Sequence, residues 1–256
     1  MNTLDMFNLS SRRALVTGSG QGIGFSLARG LAGAGAEVIL NDIDKQRLSA
    51  AAEKIRMEGA VVHEMEFDVT DPEQASAAID DFESKTGAID ILVNNAGMQF
   101  RSPLEEFPVD RFDFMMRLNI NSAFYVGKAV AKHMIARGAG KIVNICSVQT
   151  ALARPSIAPY TASKGAVANL TKGMATDWAK YGLQVNGLAP GYFKTELTSA
   201  LVADEDFTAW LSARTPAGRW GDVEELVGAC VFLCSAASSF VNGHILYVDG
   251  GITVSV

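Results

Sequence analysis

Cysteine is scarce: the 256 residues contain three, Cys146, Cys230 and Cys234. Three thiols make no disulfide framework. Cys230 and Cys234 lie four apart in a segment of helical character, but no third and fourth ligand stands at metal-binding spacing. They read as small apolar residues on a buried face rather than as a metal or redox pair. His63, His133 and His244 are scattered and form no metal-binding set, so no metal is expected. Basic residues are in deficit, 22 Lys and Arg against 28 Asp and Glu, for a formal charge of -6. Binding nucleic acid needs concentrated Lys and Arg, and this balance argues against it. No run of about 18 uncharged apolar residues is present, so no membrane span is expected. The segment Met1 to Arg13 carries Asp5 and has no apolar run of the secretory kind. A reducing, cytoplasmic setting is expected.

What the chain has is a regular alternation of apolar runs and amphipathic segments. Ala14 to Val16, Glu37 to Leu40, Val61 to Phe67, Ile89 to Val93, Lys141 to Ile145, Gln184 to Leu188 and His244 to Val248 read as strands. Helices are expected over Ile23 to Ala34, Lys45 to Met57, from Pro72 onward, over Val109 to Ala136, Ala158 to Lys180 and Asp222 to Leu233. Continuous apolar strands separated by helices mean a parallel sheet covered on both faces. The fold class is therefore α/β: a doubly wound, Rossmann-type, seven-stranded sheet in one domain over residues 1–256. No linker or repeat divides the chain. One long irregular region, Gly191 to about Gly221, follows the sixth strand, where ligands bind in open α/β sheets. Loops of that length in compact domains are usually functional, and it is expected to be a substrate lid.

The first strand runs into Thr17-Gly18-Ser19-Gly20-Gln21-Gly22-Ile23-Gly24. Glycine lets a backbone approach a pyrophosphate, and the following helix supplies free N–H groups and a partial positive charge. The strand, turn and helix context that a dinucleotide site requires is met. Gly18, Ser19, Gln21, Gly22, Ile23 and Gly24 are its candidate residues. Asp42, at the end of the second strand, is placed to accept from both adenosine ribose hydroxyls and to repel a 2′-phosphate. Gln21 and Ile43 occupy positions where a base would select the phosphate. NAD is the expected cofactor, with NADP left open by Lys45 and Arg47.

Tyr160 and Lys164 lie one helical turn apart on one face. A phenol titrates near 10, so alone it is a poor base at neutral pH. A neighbouring ammonium, together with a positive nicotinamide, favours phenolate, and lowering the pKa by about 3 units takes about 4 kcal/mol of differential stabilisation. Tyr160 can then exchange a proton with a carbinol oxygen as hydride moves to or from a nicotinamide. Ser147, just past the fifth strand, can hydrogen-bond the same oxygen.

With Asn94-Asn95-Ala96-Gly97 after the fourth strand and Pro190-Gly191 after the sixth, the ordered set resembles the short-chain dehydrogenase/reductase family over nearly the whole chain. The resemblance implies an NAD(P)-dependent oxidoreductase with Asn119, Ser147, Tyr160 and Lys164 as its catalytic group. In that family, Asn119 corresponds to a helix-kinking asparagine that holds a relay water against the lysine. Asp68 and Val69 correspond to the pair beside the adenine, and Asn95, with Ala96 and Gly97, to the residues near the adenosine ribose. After Pro190 and Gly191, the backbone of Phe193 and the hydroxyl of Thr195 correspond to the carboxamide clamp. A homotetramer is also implied.

Longer runs around Ser147, in 189–196, in 207–211 and in 214–221 resemble a branch of that family acting on sugar acids. Arg101 and Arg154 are candidates for the carboxylate, which arginine binds as a planar fork. With Ser147 and Tyr160 they make up the expected substrate contacts. Phe100 and Ala151 depart from that branch's usual charged residues, which keeps another sugar acid or a neutral polyol open as the small-molecule partner. A 3-oxoacyl thioester reductase would want a basic patch for an acidic carrier, and the net charge offers none. A non-catalytic dinucleotide sensor would not need Asn119, Ser147, Tyr160 and Lys164 intact.

Overall fold

The computed structural model describes residues 2–255. Its core is a seven-stranded, all-parallel sheet in the order β3-β2-β1-β4-β5-β6-β9. The strands are β1 (Arg13–Val16), β2 (Glu37–Asp42), β3 (Val62–Glu66), β4 (Ile91–Asn94), β5 (Gly140–Ile145), β6 (Leu183–Pro190) and β9 (Ile245–Val248). Each expected strand is present, displaced by two residues or fewer at its ends. Alternation along the strands divides the core. Ala14, Val16, Val38 and Leu40 pack against Leu27 and Leu31 of α1 (Gly22–Gly33), Leu48 and Ile55 of α2 (Lys45–Met57) and Cys230 of α9 (Val227–Cys234). Leu15, Ile39 and Leu92 face the other way, onto Ile79 of α3 (Pro72–Lys85), Val126 and Val130 of α5 (Ser122–Arg137) and Met174 of α6 (Ala158–Trp178). Cys230 and Cys234 are buried free thiols of the first layer. Among the described residues, no helix is long and apolar enough to cross a membrane.

Two segments differ from the sequence reading. The helix expected over Val109 to Ala136 is interrupted: α4 (Val109–Met116) and α5 are joined by a π-helical turn, Arg117–Asn121. Such a widened turn frees backbone groups from the regular ladder and recurs at functional sites. The region expected to be irregular, 191–221, is folded. It contains β7 (Phe193–Lys194), α7 (Ser199–Val202) and α8 (Glu205–Arg214), and β7 pairs in parallel with β8 (Gly221–Asp222). Its core is aromatic: Tyr192, Phe207 and Trp220 pack on Val148, Leu211 and Ile252. Asp204 caps α8 by accepting from the Phe207 N–H at 3.0 Å.

The strand order reverses between β1 and β4, so the loops leaving their carboxyl ends part and open a crevice. The Thr17 hydroxyl accepts from the backbone N–H groups of Asn95 (3.0 Å) and Ala96 (3.1 Å), while Asn95 Nδ2 donates to the carbonyls of Thr17 and Gly18. These bonds lock the glycine turn against the Asn-Asn-Ala-Gly loop.

Candidate active site

A cleft of about 500 Å³ lies over the carboxyl ends of the sheet, within the range usual for small-molecule sites. It brings together every site residue expected from sequence except Ser19 and Asn119. Ser19 is turned inward, its hydroxyl donating to the Val16 carbonyl at 2.8 Å and accepting from Asn41 N–H at 3.0 Å. Asn119 is buried beneath the cleft in the π-helical turn.

The half of the cleft beside β1, where the cofactor is expected, is built from backbone. Gly18 adopts φ +60°, and a Cβ there would lie 3.0 Å from Ala96 Cα. A Cβ on Gly24 would lie 2.4 Å from the Gly18 carbonyl oxygen. Gln21 precedes α1 without a side-chain cap, leaving the N–H groups of the first turn free to receive an anion. The arrangement fits a pyrophosphate cradled by a helix N-terminus. Gly24→Ala is therefore expected to weaken NADPH binding about tenfold, an overpacking cost of roughly 1–3 kcal/mol. Fluorescence titration of NADPH, with a melting curve as control, checks this.

At the adenosine end the structure corrects the reading of Asp42. The carboxylate does not stand open. Arg47 reaches back across the start of α2 and donates from Nη2 to Oδ1 at 2.6 Å and from Nε to Oδ2 at 3.2 Å. The Gly20 N–H adds a third bond at 3.2 Å. Burial acts to raise the Asp42 carboxyl, but Arg47 and the Asp44 and Gly20 N–H groups outweigh it and hold it below its usual range. With a guanidinium on the carboxylate, the electrostatic argument against a 2′-phosphate disappears. Lys45, the other base considered, points to Glu66 at 3.9 Å.

The middle of the cleft, where proton transfer is expected, is set by α6 packing on β5. Tyr160, Lys164 and Ser147 all line the cleft. Burial pushes the Tyr160 phenol up, and the adjacent Ser147 hydroxyl draws it partly back. Lys164 is 5% exposed, and burial lowers it to about 8. Its Nζ donates to the Ile145 carbonyl at 2.7 Å and lies 5.8 Å from the Tyr160 ring centroid. In the chain by itself burial is the largest influence on the phenol, and the ammonium expected to act on it together with a nicotinamide is turned to the Ile145 carbonyl. Asn119 ties the parts together. Its Oδ1 accepts from Met98 N–H at 2.8 Å, and its Nδ2 donates to the Met98 carbonyl and to Ser163 Oγ, both at 3.0 Å. The π-turn thus joins the loop after β4 to the helix bearing Tyr160 and Lys164.

The remaining part of the cleft, where substrate is expected, carries positive charge without a carboxylate partner among the described residues. Among the described residues, neither Arg101 nor Arg154 has a carboxylate partner, and Arg154 Nε is buried with no acceptor. Desolvation and the nearby Arg154 charge both lower Arg101. The Ser102 N–H donates to the Ser156 carbonyl at 3.1 Å, joining the two arginine-bearing loops. Sequence reasoning missed Gln149 and Tyr192 here. Both line the cleft, with Gln149 Nε2 donating to the Tyr192 hydroxyl at 3.4 Å and Gln149 Oε1 buried without a partner.

A family model described as enoyl-(acyl carrier protein) reductase matches residues 18–253. The chain is 62% identical to gluconate 5-dehydrogenase of Gluconobacter oxydans, covering 100% of both. It is 53% identical to 5-keto-D-gluconate 5-reductase of Escherichia coli over 98% of the chain and 99% of that protein. The crystal structure of a gluconate 5-dehydrogenase from Burkholderia cenocepacia, in complex with NADP and tartrate, superposes with a TM-score of 0.98 at 60% identity, covering 100% of both chains. The chain belongs to the short-chain dehydrogenase/reductase family. Its reaction class is hydride transfer between a nicotinamide cofactor and a CH–OH carbon. The preference for NAD expected from Asp42 finds no support, whereas NADP does.

Proposed function

We propose that this protein interconverts D-gluconate and 5-keto-D-gluconate with NADP. The observation that carries the substrate assignment is the pair of guanidinium groups, Arg101 and Arg154, without carboxylate partners in the cleft that holds Ser147 and Tyr160. A buried donor left unsatisfied is costly, so a site built this way favours a ligand that brings an anionic acceptor. The names of the relatives agree with that chemistry. The glycine turn holds the pyrophosphate, Arg47 the 2′-phosphate, Asp68 and Val69 the adenine edge, and Phe193 with Thr195 the carboxamide. The bound nicotinamide supplies a hydride acceptor or donor at the carbon bearing the reacting oxygen.

The chain's own residues manage the proton. Ser147 holds the reacting oxygen by a hydrogen bond. Tyr160 accepts its proton during oxidation and returns it during reduction. Lys164 supplies positive charge beside the phenol once it leaves the Ile145 carbonyl, and the π-turn around Asn119 steadies the helix from below. The segment 191–221 closes over the substrate as a lid, the enzyme works in the cytoplasm, and the assembly is a homotetramer. Because reduction needs the Tyr160 phenol protonated and oxidation needs it as phenolate, reduction is expected to decline and oxidation to climb as the solution becomes more basic and the phenol of the cofactor complex titrates. Steady-state rates in both directions from pH 6 to 10 check that sign.

The substrate test is a kcat/KM survey of D-gluconate, 5-keto-D-gluconate and neutral polyols with NADP and NAD. The sugar acids should lead, and Arg154→Ala should raise their KM by about 10- to 30-fold, as expected for loss of a charged hydrogen bond of roughly 1.5–2 kcal/mol. Equal efficiency on a neutral polyol would remove the gluconate assignment.

A further inference from the structure

We propose that Phe207, on the lid helix α8, is a positioning residue for the carboxylate end of the substrate, acting through Arg154. The inference rests on the sugar-acid reading above. The Arg154 guanidinium carbon stands over the Phe207 ring, 5.3 Å from its centroid. A guanidinium laid on an aromatic face keeps its N–H donors in its own plane, free for a planar carboxylate, while the ring excludes water from one side. Arg154 has the matching feature: its Nε is buried and has no acceptor among the described residues.

The ring is itself held firmly. Its centroid lies 5.3 Å from that of Trp210, 5.8 Å from Tyr192 and 6.0 Å from Trp220. The cap on α8 fixes its backbone, with the Phe207 N–H bound to Asp204. On the other side, Arg154 comes from a loop held by the Ser102–Ser156 backbone bond and by Ser156 in the left-handed region at φ +68°. The charge of Arg154 also acts on the Tyr192 phenol. Arg154 therefore bridges the lid and the loop leading to Tyr160. A carboxylate arriving at the guanidinium from the cleft meets a fork whose orientation Phe207 has already set, which reduces the ordering cost of binding.

The alternative is that Phe207 only fills the apolar core of the lid. The two differ in charge dependence, and the probes are tartrate, a four-carbon dianion, and erythritol, a neutral polyol of the same length, as inhibitors competing with 5-keto-D-gluconate. Phe207→Leu, which stays apolar but loses the aromatic face, should raise the KM for 5-keto-D-gluconate and the inhibition constant of tartrate about tenfold. It should change kcat less than about twofold and leave erythritol inhibition unaltered. Phe207→Tyr, which restores the face, should return tartrate inhibition to near the parent value. Equal weakening of tartrate and erythritol, or no change for either, overturns the positioning role. Phe207→Met serves in the same assay if Phe207→Leu melts early. Arg154→Ala separates the two claims: if it leaves tartrate inhibition untouched, the sugar-acid reading itself fails. If it weakens tartrate while Phe207→Leu does not, only the role of Phe207 is lost.

Discussion

Tyr160→Phe should lower kcat for both directions by about 10³-fold, within the range general acid–base catalysis contributes, while leaving the NADPH dissociation constant within about twofold. The phenol lies in the cleft beside Ser147, buried enough that its proton is held above the ordinary range. Removing one oxygen from a ring otherwise retained leaves the packing of α6 intact and takes away the group that exchanges a proton with the carbinol. The glycine turn, Asp42 and Arg47 lie at the other end of the site and should be indifferent. Pre-steady-state and steady-state rates with 5-keto-D-gluconate, beside an NADPH titration, make the comparison. Unimpaired turnover would transfer the proton role to another group.

Arg47→Ala should raise the KM for NADP about 100-fold and leave that for NAD nearly unchanged or improved. The 100-fold change corresponds to about 2.7 kcal/mol, within the cost of removing one member of a hydrogen-bonded charge pair. The loss has two sources. The substitution removes a donor that a 2′-phosphate would meet, and it uncovers Asp42, which Arg47 engages through two hydrogen bonds. Once bare, that carboxylate repels the phosphate and becomes free to accept from ribose hydroxyls. Asp42→Ala alone should act oppositely, relaxing any residual selection against NADP. The pair of KM ratios measured in the single and double substitutions shows whether the two side chains act as one unit.

The sheet was legible because its central strands are buried on both faces and appear as apolar runs, as in Ala14 to Val16 and Ile91 to Val93, while the edge strand β3 keeps its polar residues on alternate, more exposed positions. The candidate site was legible because it hangs from the ends of those strands: glycines after β1, Asn95 after β4, Ser147 after β5, Gly191 after β6. What sequence could not convey was aim. Asp42 and Arg47 are five residues apart, but only the start of α2 decides that the guanidinium turns back onto the carboxylate. Tyr160 and Lys164 share a helix face, yet the lysine reaches the Ile145 carbonyl, a choice made by β5 and invisible in the i,i+4 spacing. The π-turn at Arg117–Asn121 was hidden because the helical signal continues on both sides of it. Helices α7 and α8 were hidden for the opposite reason. They are short and their polar and apolar residues mix, since their order comes from packing Phe207, Tyr192 and Trp220 together rather than from a clean apolar stripe.

The central claim is that the buried phenol of Tyr160 becomes acidic when the oxidised cofactor joins Lys164 beside it. Phenolate absorbance near 295 nm, recorded against pH for the parent protein with saturating NADP and corrected by subtracting Tyr160→Phe under the same conditions, measures this directly. The account predicts a single phenol titrating below 10 in the complex and above 10 in the free protein. A Tyr160 that stays protonated through pH 10 in the complex, while gluconate is oxidised briskly at pH 8, would contradict it.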